Sequence, residues 1–144
     1  MQKQGNEPLG QLIAAARRRI KQAVTARAAR HGVTAIQFWL LVGLAEGGSQ
    51  SLRELAERIR SDDPMASRGV QSLVAAGLVA SKNDASDRRR ARLVLTARGR
   101  TLGERCVDEA RTIRNLVERD LTPEEGEVTR AALKKVIATM ETAT

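Results

Sequence analysis

Arg88, Arg89 and Arg90 stand side by side in the chain, and three adjacent guanidiniums repel one another unless a polyanion draws them together. Nucleic acid suits such a run, because its phosphates release condensed counterions when they are neutralised. Upstream stand Arg68 and Gln71, whose forked ends match the major-groove edges of guanine and adenine through paired hydrogen bonds. A run of arginines is equally compatible with a solvated surface, so the elements that hold these side chains decide between the two readings.

From Leu73 to Gly99 the chain reads LVAAGLVASKNDASDRRRARLVLTARG. Gly77 is placed to end a helix in the left-handed conformation that spares a Cβ clash. Leu78 and Val79 open a strand, and Asn83, Asp84, Ala85, Ser86 and Asp87 are turn residues. Ala91 to Leu95 then alternate outward and inward as a return strand, and Thr96 caps the next helix. The arginines therefore crown a β-hairpin. Before it, Ser51 and Glu54 form an S-x-x-E capping box in which the Glu54 side chain reaches back to the Ser51 amide. The helix they start buries Leu52, Leu55, Ala56 and Ile59. A second start falls at Asp63-Pro64, the carboxylate capping free amides and the proline taking a position that needs no amide hydrogen.

On that second helix Ala66, Val70, Leu73 and Val74 make the buried stripe. At 100° per residue, Pro64, Arg68, Gln71 and Ser72 fall opposite it, with Met65 and Ser67 on the flanks. Two short helices, a tight turn and a basic hairpin describe a winged helix-turn-helix, whose second helix enters the major groove N-terminal part first. The DNA-contacting set is then Pro64, Met65, Ser67, Arg68, Gln71 and Ser72 with Arg88, Arg89 and Arg90. Gly69 costs about 1 kcal/mol relative to alanine in a helix interior; it either permits close helix contact or loosens the recognition helix.

These residues resemble the MarR (multiple antibiotic resistance regulator) transcription factors. The likeness covers most of the chain and is strongest in SLRELAERI, in LVAAGLV from Leu73 to Val79, in DASDRR from Asp84 to Arg89, and in LTARGR from Leu95 to Arg100. Asp84, Asp87, Arg88 and Arg89 match the family's wing pattern D-x-R-D-R-R, with Ser86 in place of its first arginine. The resemblance implies that a tip arginine, Arg88, enters the minor groove and that Asp87 with Arg89 braces the wing. The serine puts one phosphate or bracing contact in doubt. The resemblance also implies a dimer formed by the terminal helices, and phenolic or lipophilic anions as common ligands.

The rest of the chain is helical. Leu9, Ile13, Ala16, Ile20 and Val24 repeat at helical spacing up to Gly32, and Thr34 with Gln37 makes a capping box before an apolar run from Ile36 to Leu44. A long helix from Thr96 carries Leu102, Cys106, Ile113, Leu116 and Val117. Thr122, Pro123 and Glu125 then start a last helix with Val128, Ala132, Leu133, Val136, Ile137 and Met140 on one side. The fold class is thus mainly α with a small β-hairpin wing. Residues 1–32 and 96–144 form a helical dimerisation region, and 33–95 a winged helix-turn-helix. The apolar stripes at the two ends need covering; a symmetric dimer would cover them while presenting two recognition helices to two half-sites, the alternative being that these helices cover only their own monomer's core.

A chain of 144 residues suits one domain, and its net charge of +8 suits an acidic partner. The positive charge gathers in the helix-turn-helix and wing half, whereas the C-terminal helices carry Glu104, Asp108, Glu109, Glu118, Asp120, Glu124, Glu125 and Glu127. No apolar run spans a bilayer and no signal-peptide core opens the chain, so a cytoplasmic protein without a membrane partner is expected. Catalysis is not expected: the single histidine, His31, and the single cysteine, Cys106, lie far apart in sequence, and no cluster offers a zinc ligand set. Cys106 reads as a core thiol. No cofactor or metal is expected.

The sequence therefore predicts a homodimeric, sequence-specific DNA-binding regulator on a pseudo-palindromic operator, a repressor of nearby genes released by a small anionic or lipophilic effector. Arg17, His31, Phe38 and Trp39 are the candidate pocket; alternatively Phe38 and Trp39 read as core, His31 as a loop residue, and Arg17 to Arg19 as approaching phosphate or remaining solvated. Two rival readings stand beside it, a winged-helix module that docks on an acidic protein and a nonspecific architectural DNA binder.

Overall fold

In the computed structural model of the chain, residues 5–83 and 91–144 are described. They run α1 (Leu9–Ala29), α2 (Ala35–Gly47), α3 (Leu52–Arg58), α4 (Asp63–Ala75), β1 (Val79–Asn83), β2 (Ala91–Leu95), α5 (Ala97–Glu118) and α6 (Pro123–Ala143). Two compact units divide the chain, Met1–Ile113 and Arg114–Thr144, with α5 crossing the division.

The first unit is organised by α2. Phe38, Leu40, Leu41, Val42 and Leu44 are buried around its circumference, which makes it a central helix rather than a surface one. Helices α1, α3 and α4 and strand β2 all pack on it. Thr34 starts it with the expected reciprocal box: its Oγ1 accepts from the Gln37 amide (3.3 Å), and Gln37 Oε1 accepts from the Thr34 amide (2.9 Å). Val24, Leu55, Leu73 and Cys106 from the surrounding helices complete the fully buried set. Each large apolar side chain so buried contributes roughly 1.5–3 kcal/mol.

Strands β1 and β2 pair antiparallel from Val79↔Leu95 to Asn83↔Ala91. The turn before β1 is closed by Gly77 at φ 74°, a backbone state that a side chain would oppose. On its other side β2 pairs with a single residue, Gln50, whose amide donates to Leu93 O (3.2 Å) and whose carbonyl accepts from the Leu93 amide (2.7 Å). Gln50 is a buried polar residue, 5 % exposed. Its Nε2 donates to Gly43 O (2.9 Å) and Gly48 O (3.0 Å), and its Oε1 accepts from Arg58 Nε (3.2 Å). Each polar atom of the amide is thus partnered, as burial requires.

Three local expectations are corrected. Glu54 does not reach the Ser51 amide. The Ser51 hydroxyl caps the Glu54 amide (3.1 Å) as expected, but the Glu54 carboxylate accepts instead from that hydroxyl and from Arg92 of β2, each at 3.1 Å, because a guanidinium is the stronger donor. Helix α4 is capped by Asp62 rather than Asp63: Asp62 Oδ1 accepts from the Met65 amide at 2.8 Å, which leaves Asp63 in the first turn ahead of Pro64. Val74 is 42 % exposed rather than buried, since it stands to one side of the row Ala66, Gly69, Val70 and Leu73 that faces inward.

In the second unit, Thr122 and Glu125 form the second reciprocal box, at 3.1 and 3.0 Å, and open α6. The predicted stripe is present but uncovered, with Val128, Leu133, Val136, Ile137 and Met140 all exposed.

Candidate nucleic-acid interface

The turn between α3 and α4 is built by backbone geometry. Arg60 takes a positive φ of 54°, and the Ser61 amide returns to Ala56 O at 2.9 Å, closing α3 before Asp62 caps α4. Helix α4 is held against α2 by a close approach at Gly69, where a Cβ would stand 2.5 Å from Leu40 Cδ1 and 3.3 Å from Ile36 Cγ1. Of the two roles left open for this glycine, close helix contact is the one realised. With Ala66, Gly69, Val70 and Leu73 turned inward, Pro64, Met65, Arg68, Gln71 and Ser72 are exposed and Ser67 is half-buried.

These exposed residues are not equally free. The Ser72 hydroxyl donates to Gly69 O (2.7 Å) and accepts from Gln37 Nε2 (2.9 Å), so it ties α4 to the first turn of α2. Arg68 and Gln71 extend beside it from the first three turns of α4. The guanidinium and the amide therefore share one bare helix face.

Strand β2 continues the surface. Arg92 Nε and Nη2 donate to Ser49 Oγ (3.2 Å) and Ser49 O (2.7 Å), and Nη1 to Glu54 Oε1 (3.1 Å). Asp87, Arg88, Arg89 and Arg90 lie outside the described residues. Next to Arg92's partners is an open polar cleft of about 560 Å³ lined by Gly47, Ser49, Gln50, Glu54, Glu57 and Arg58.

The four candidate pocket residues are distributed differently. Phe38 is fully buried and stands edge-to-face with half-buried Trp39, ring centroids 5.0 Å apart. Arg17 is exposed on α1, roughly 15 Å up the helix from Arg27 at 1.5 Å per residue. His31 Nε2 lies 3.4 Å from Glu109 Oε1, and Arg27 Nη1 donates to Glu109 Oε2 at 2.8 Å. The hydrogen bond from Arg27, joined by that from His31, holds the Glu109 carboxyl below the usual carboxylate range. Glu109 escaped the sequence reading because nothing in its neighbourhood distinguishes it from the other acids of α5; its partners stand some eighty residues away. Burial, with a smaller contribution from Glu109, pushes the Cys106 thiol up to about 11, so it stays protonated and unreactive. Among the described residues no group of three metal-ligating side chains assembles, and no helix is long and apolar enough to cross a membrane.

A helix-turn-helix with a bare second helix, followed directly by a two-stranded wing, defines a winged-helix DNA-binding transcription regulator. Residues 31–90 match the family model described as MarR family. The chain is similar to a structure from Bordetella bronchiseptica on the regulation of DNA binding of BpsR by 6-hydroxynicotinic acid, at 28 % identity and TM-score 0.74, covering 94 % of this chain and 99 % of that one. It is similar to a mutant of E. coli MarR complexed with operator DNA, at 25 % identity and TM-score 0.77, covering 90 % and 93 %. A probable transcriptional regulator from Pseudomonas aeruginosa matches at 26 % identity and TM-score 0.73, covering 91 % and 98 %. No curated protein matches at significant similarity. The family likeness thus covers α2 to β1, and the likeness of fold to these DNA-binding regulators extends over 90–94 % of the chain.

Proposed function

We propose that this regulator is a homodimeric repressor that reads a pseudo-palindromic operator near its own gene and lets go when a small effector binds. The observation that carries the DNA half is α4: its inward face packs against α2, α3 and β1, while Arg68 and Gln71 stand exposed together on the outer face. Arg68 pairs with guanine and Gln71 with adenine. Pro64, Met65 and Ser67 shape the approach to the groove. Ser72, held by Gln37 and Gly69, acts by anchoring the helix rather than by contacting a base. The wing supplies Arg88, Arg89 and Arg90 to the phosphates and minor groove, with Asp87 bracing it.

Dimerisation is supported by apolar side chains that stay exposed at the start of α1, ahead of the part of that helix that Val24 and Ile20 pack into the core, and along α6. On α1, Leu9 is 70 % exposed, and on α6 Val128 is 68 % exposed, more than a lone chain gains by showing to water. We assign residues 1–32 and 96–144 to the dimer region and 33–95 to the reading head. The effector belongs near His31 and Trp39, since Phe38 is sealed in the core. The regulator acts in the cytoplasm and performs no catalysis of its own. Binding of the full chain to its own promoter duplex and to a random duplex tests the reading, with sedimentation in parallel. Dimers that prefer the promoter by a hundredfold or more are expected, a typical specific ratio being on the order of a thousandfold or greater. Equal binding to both duplexes leaves only an architectural binder, and a micromolar monomer that holds a half-site tightly overturns the dimer.

A further inference from the structure

We propose that Arg92 is the residue that positions the wing relative to the helix-turn-helix, by clamping β2 to the Ser49–Glu54 segment; the proposal rests on the DNA-binding reading of the same surface. Arg92 occupies a strand position opposite Lys82, where two like charges face each other and disfavour the pairing. The guanidinium resolves this by leaving the strand. It makes three hydrogen bonds, two to Ser49 and one to Glu54, and Glu54 is the residue that the Ser51 cap would otherwise have recruited. Its side chain is 30 % exposed, well below what a free surface arginine would show.

The geometry of the clamp has a functional meaning because of where its two ends lie. Ser49 to Glu54 is the entrance of α3, the first helix of the helix-turn-helix. Arg92 lies two positions into β2, the strand that returns from the arginine-bearing tip. Adjacent Leu93 pairs with Gln50 through backbone hydrogen bonds and is sealed in the core, which fix the base of the ribbon but leave its outer end free to pivot about that pair. A planar fork that grips a carbonyl, a hydroxyl and a carboxylate together removes that pivot. The wing then meets the duplex at a set distance from α4, and both contact DNA without a fresh ordering cost.

Electrostatics alone predicts the opposite sign for one variant, which makes the proposal testable. Glu54→Ala removes an acid from the DNA-facing surface and raises the net charge by one, so a simple charge effect tightens binding. Loss of the clamp loosens it. The Ser51 cap survives, because it is the Glu54 backbone amide that it holds. We expect Glu54→Ala and Arg92→Lys each to weaken binding of the full chain to its promoter duplex by on the order of fivefold, the scale of about one net hydrogen bond. Arg88→Ala should cost less in an Arg92→Ala background than alone, since an unpositioned wing has less to lose. Without DNA, exchange of the Leu93 amide should quicken in Arg92→Ala while the melting temperature moves by only a few degrees.

Unchanged or tighter binding by Glu54→Ala overturns the proposal. So does an Arg92→Lys variant that binds like wild type while Arg92→Ala lowers the salt slope by about one, because that pair of results makes Arg92 a phosphate contact. Unchanged Leu93 protection in Arg92→Ala overturns it whatever happens with DNA. A wild-type chain with no preference for the promoter duplex refutes the regulator reading instead, and the exchange measurement then still decides the clamp.

Discussion

Two glycine-to-alanine substitutions that look alike on paper should separate widely. At Gly99, in the first turn of α5, an added Cβ would overlap the Leu78 carbonyl oxygen and also press on the Leu78 carbonyl carbon. That obstacle is backbone, and it is fixed twice: Leu78 O accepts from the Thr96 amide (3.1 Å), and the Thr96 hydroxyl donates to Gly77 O (2.7 Å) while accepting from the Gly99 amide (3.1 Å). Relief requires α5 to back away from the β1 entrance. Overpacking at the upper end of its range, roughly 3 kcal/mol, combines with a disrupted hydrogen bond of about 1 kcal/mol, and the helix propensity of alanine returns about 1 kcal/mol. The net is a loss of about 3 kcal/mol. At Gly69 the obstacle is the end of a side chain, Leu40 Cδ1 at 2.5 Å. Leu40 is wholly buried and cannot swing freely, so about 2 kcal/mol of strain is set against about 1 kcal/mol of propensity, leaving a loss of about 1 kcal/mol. Urea denaturation at fixed protein concentration, needed because association stabilises the folded form, measures both. With a shift of roughly 4 °C per kcal/mol for a chain of this size, Gly99→Ala should melt about 12 °C and Gly69→Ala about 4 °C below wild type. Equal losses, or a Gly99→Ala variant as stable as wild type, would show that the contact at Leu78 is not the constraint described.

Arg68→Ala and Gln71→Ala should each cost on the order of 1–3 kcal/mol on the operator and relax preference at one base pair, with little change on random duplex; equal loss on both duplexes in competition assays would demote them to positioning contacts. Removal of Thr122–Thr144 should yield monomer or aggregate in sedimentation and abolish tight operator binding, since two linked half-sites become one; a truncated dimer with full affinity contradicts the assignment. Glu109 has a folded pKa below its ordinary 4.5 because Arg27 and His31 bond its ionised form. Its contribution to stability is therefore complete above that value and is lost as pH falls through the depressed folded pKa. Glu109→Gln should flatten the acid limb of the stability curve below pH 4.5, and parallel curves for the two proteins would exclude the pair as its source.

How much of this could be read from residues alone depended on range. Thr34 with Gln37 closes the expected box, and the helix start read at Thr122, Pro123 and Glu125 proves to be a box as well, because every atom needed lies within one helical turn. Ser51 with Glu54 has the same spacing and a different outcome, since Arg92 arrives from thirty-eight positions away and takes the carboxylate. Asp62 and Asp63 are adjacent equivalents to any rule of types, and only the backbone turn at Arg60 selects the first as the cap. The helix-turn-helix, the hairpin and the outward placement of Arg68 and Gln71 were legible in the pattern of apolar residues. Gln50 was not: a lone glutamine in a loop carries no sign that it will be buried, paired with Leu93 and bonded to Gly43, Gly48 and Arg58. Glu109 was hidden likewise, its role created entirely by partners on α1 and in the loop that follows.

Because Gln50 takes one side of β2 and β1 the other, β2 is flanked on both sides, and among the described residues β1 carries the open edge of the ribbon. An unpaired edge is a template on which a stray strand from another molecule can nucleate a growing stack. The residues exposed along it are Ser81, Lys82 and Asn83, two polar side chains around a cation, on a strand of only five residues. A lysine there means that an incoming identical strand must bring a second lysine close to the first. Val79 at the start of β1 and Leu93 in the middle of β2 are meanwhile sealed in the core. The described part of the ribbon thus offers an incoming strand an edge that is short, polar and charged, a poor template for stacking.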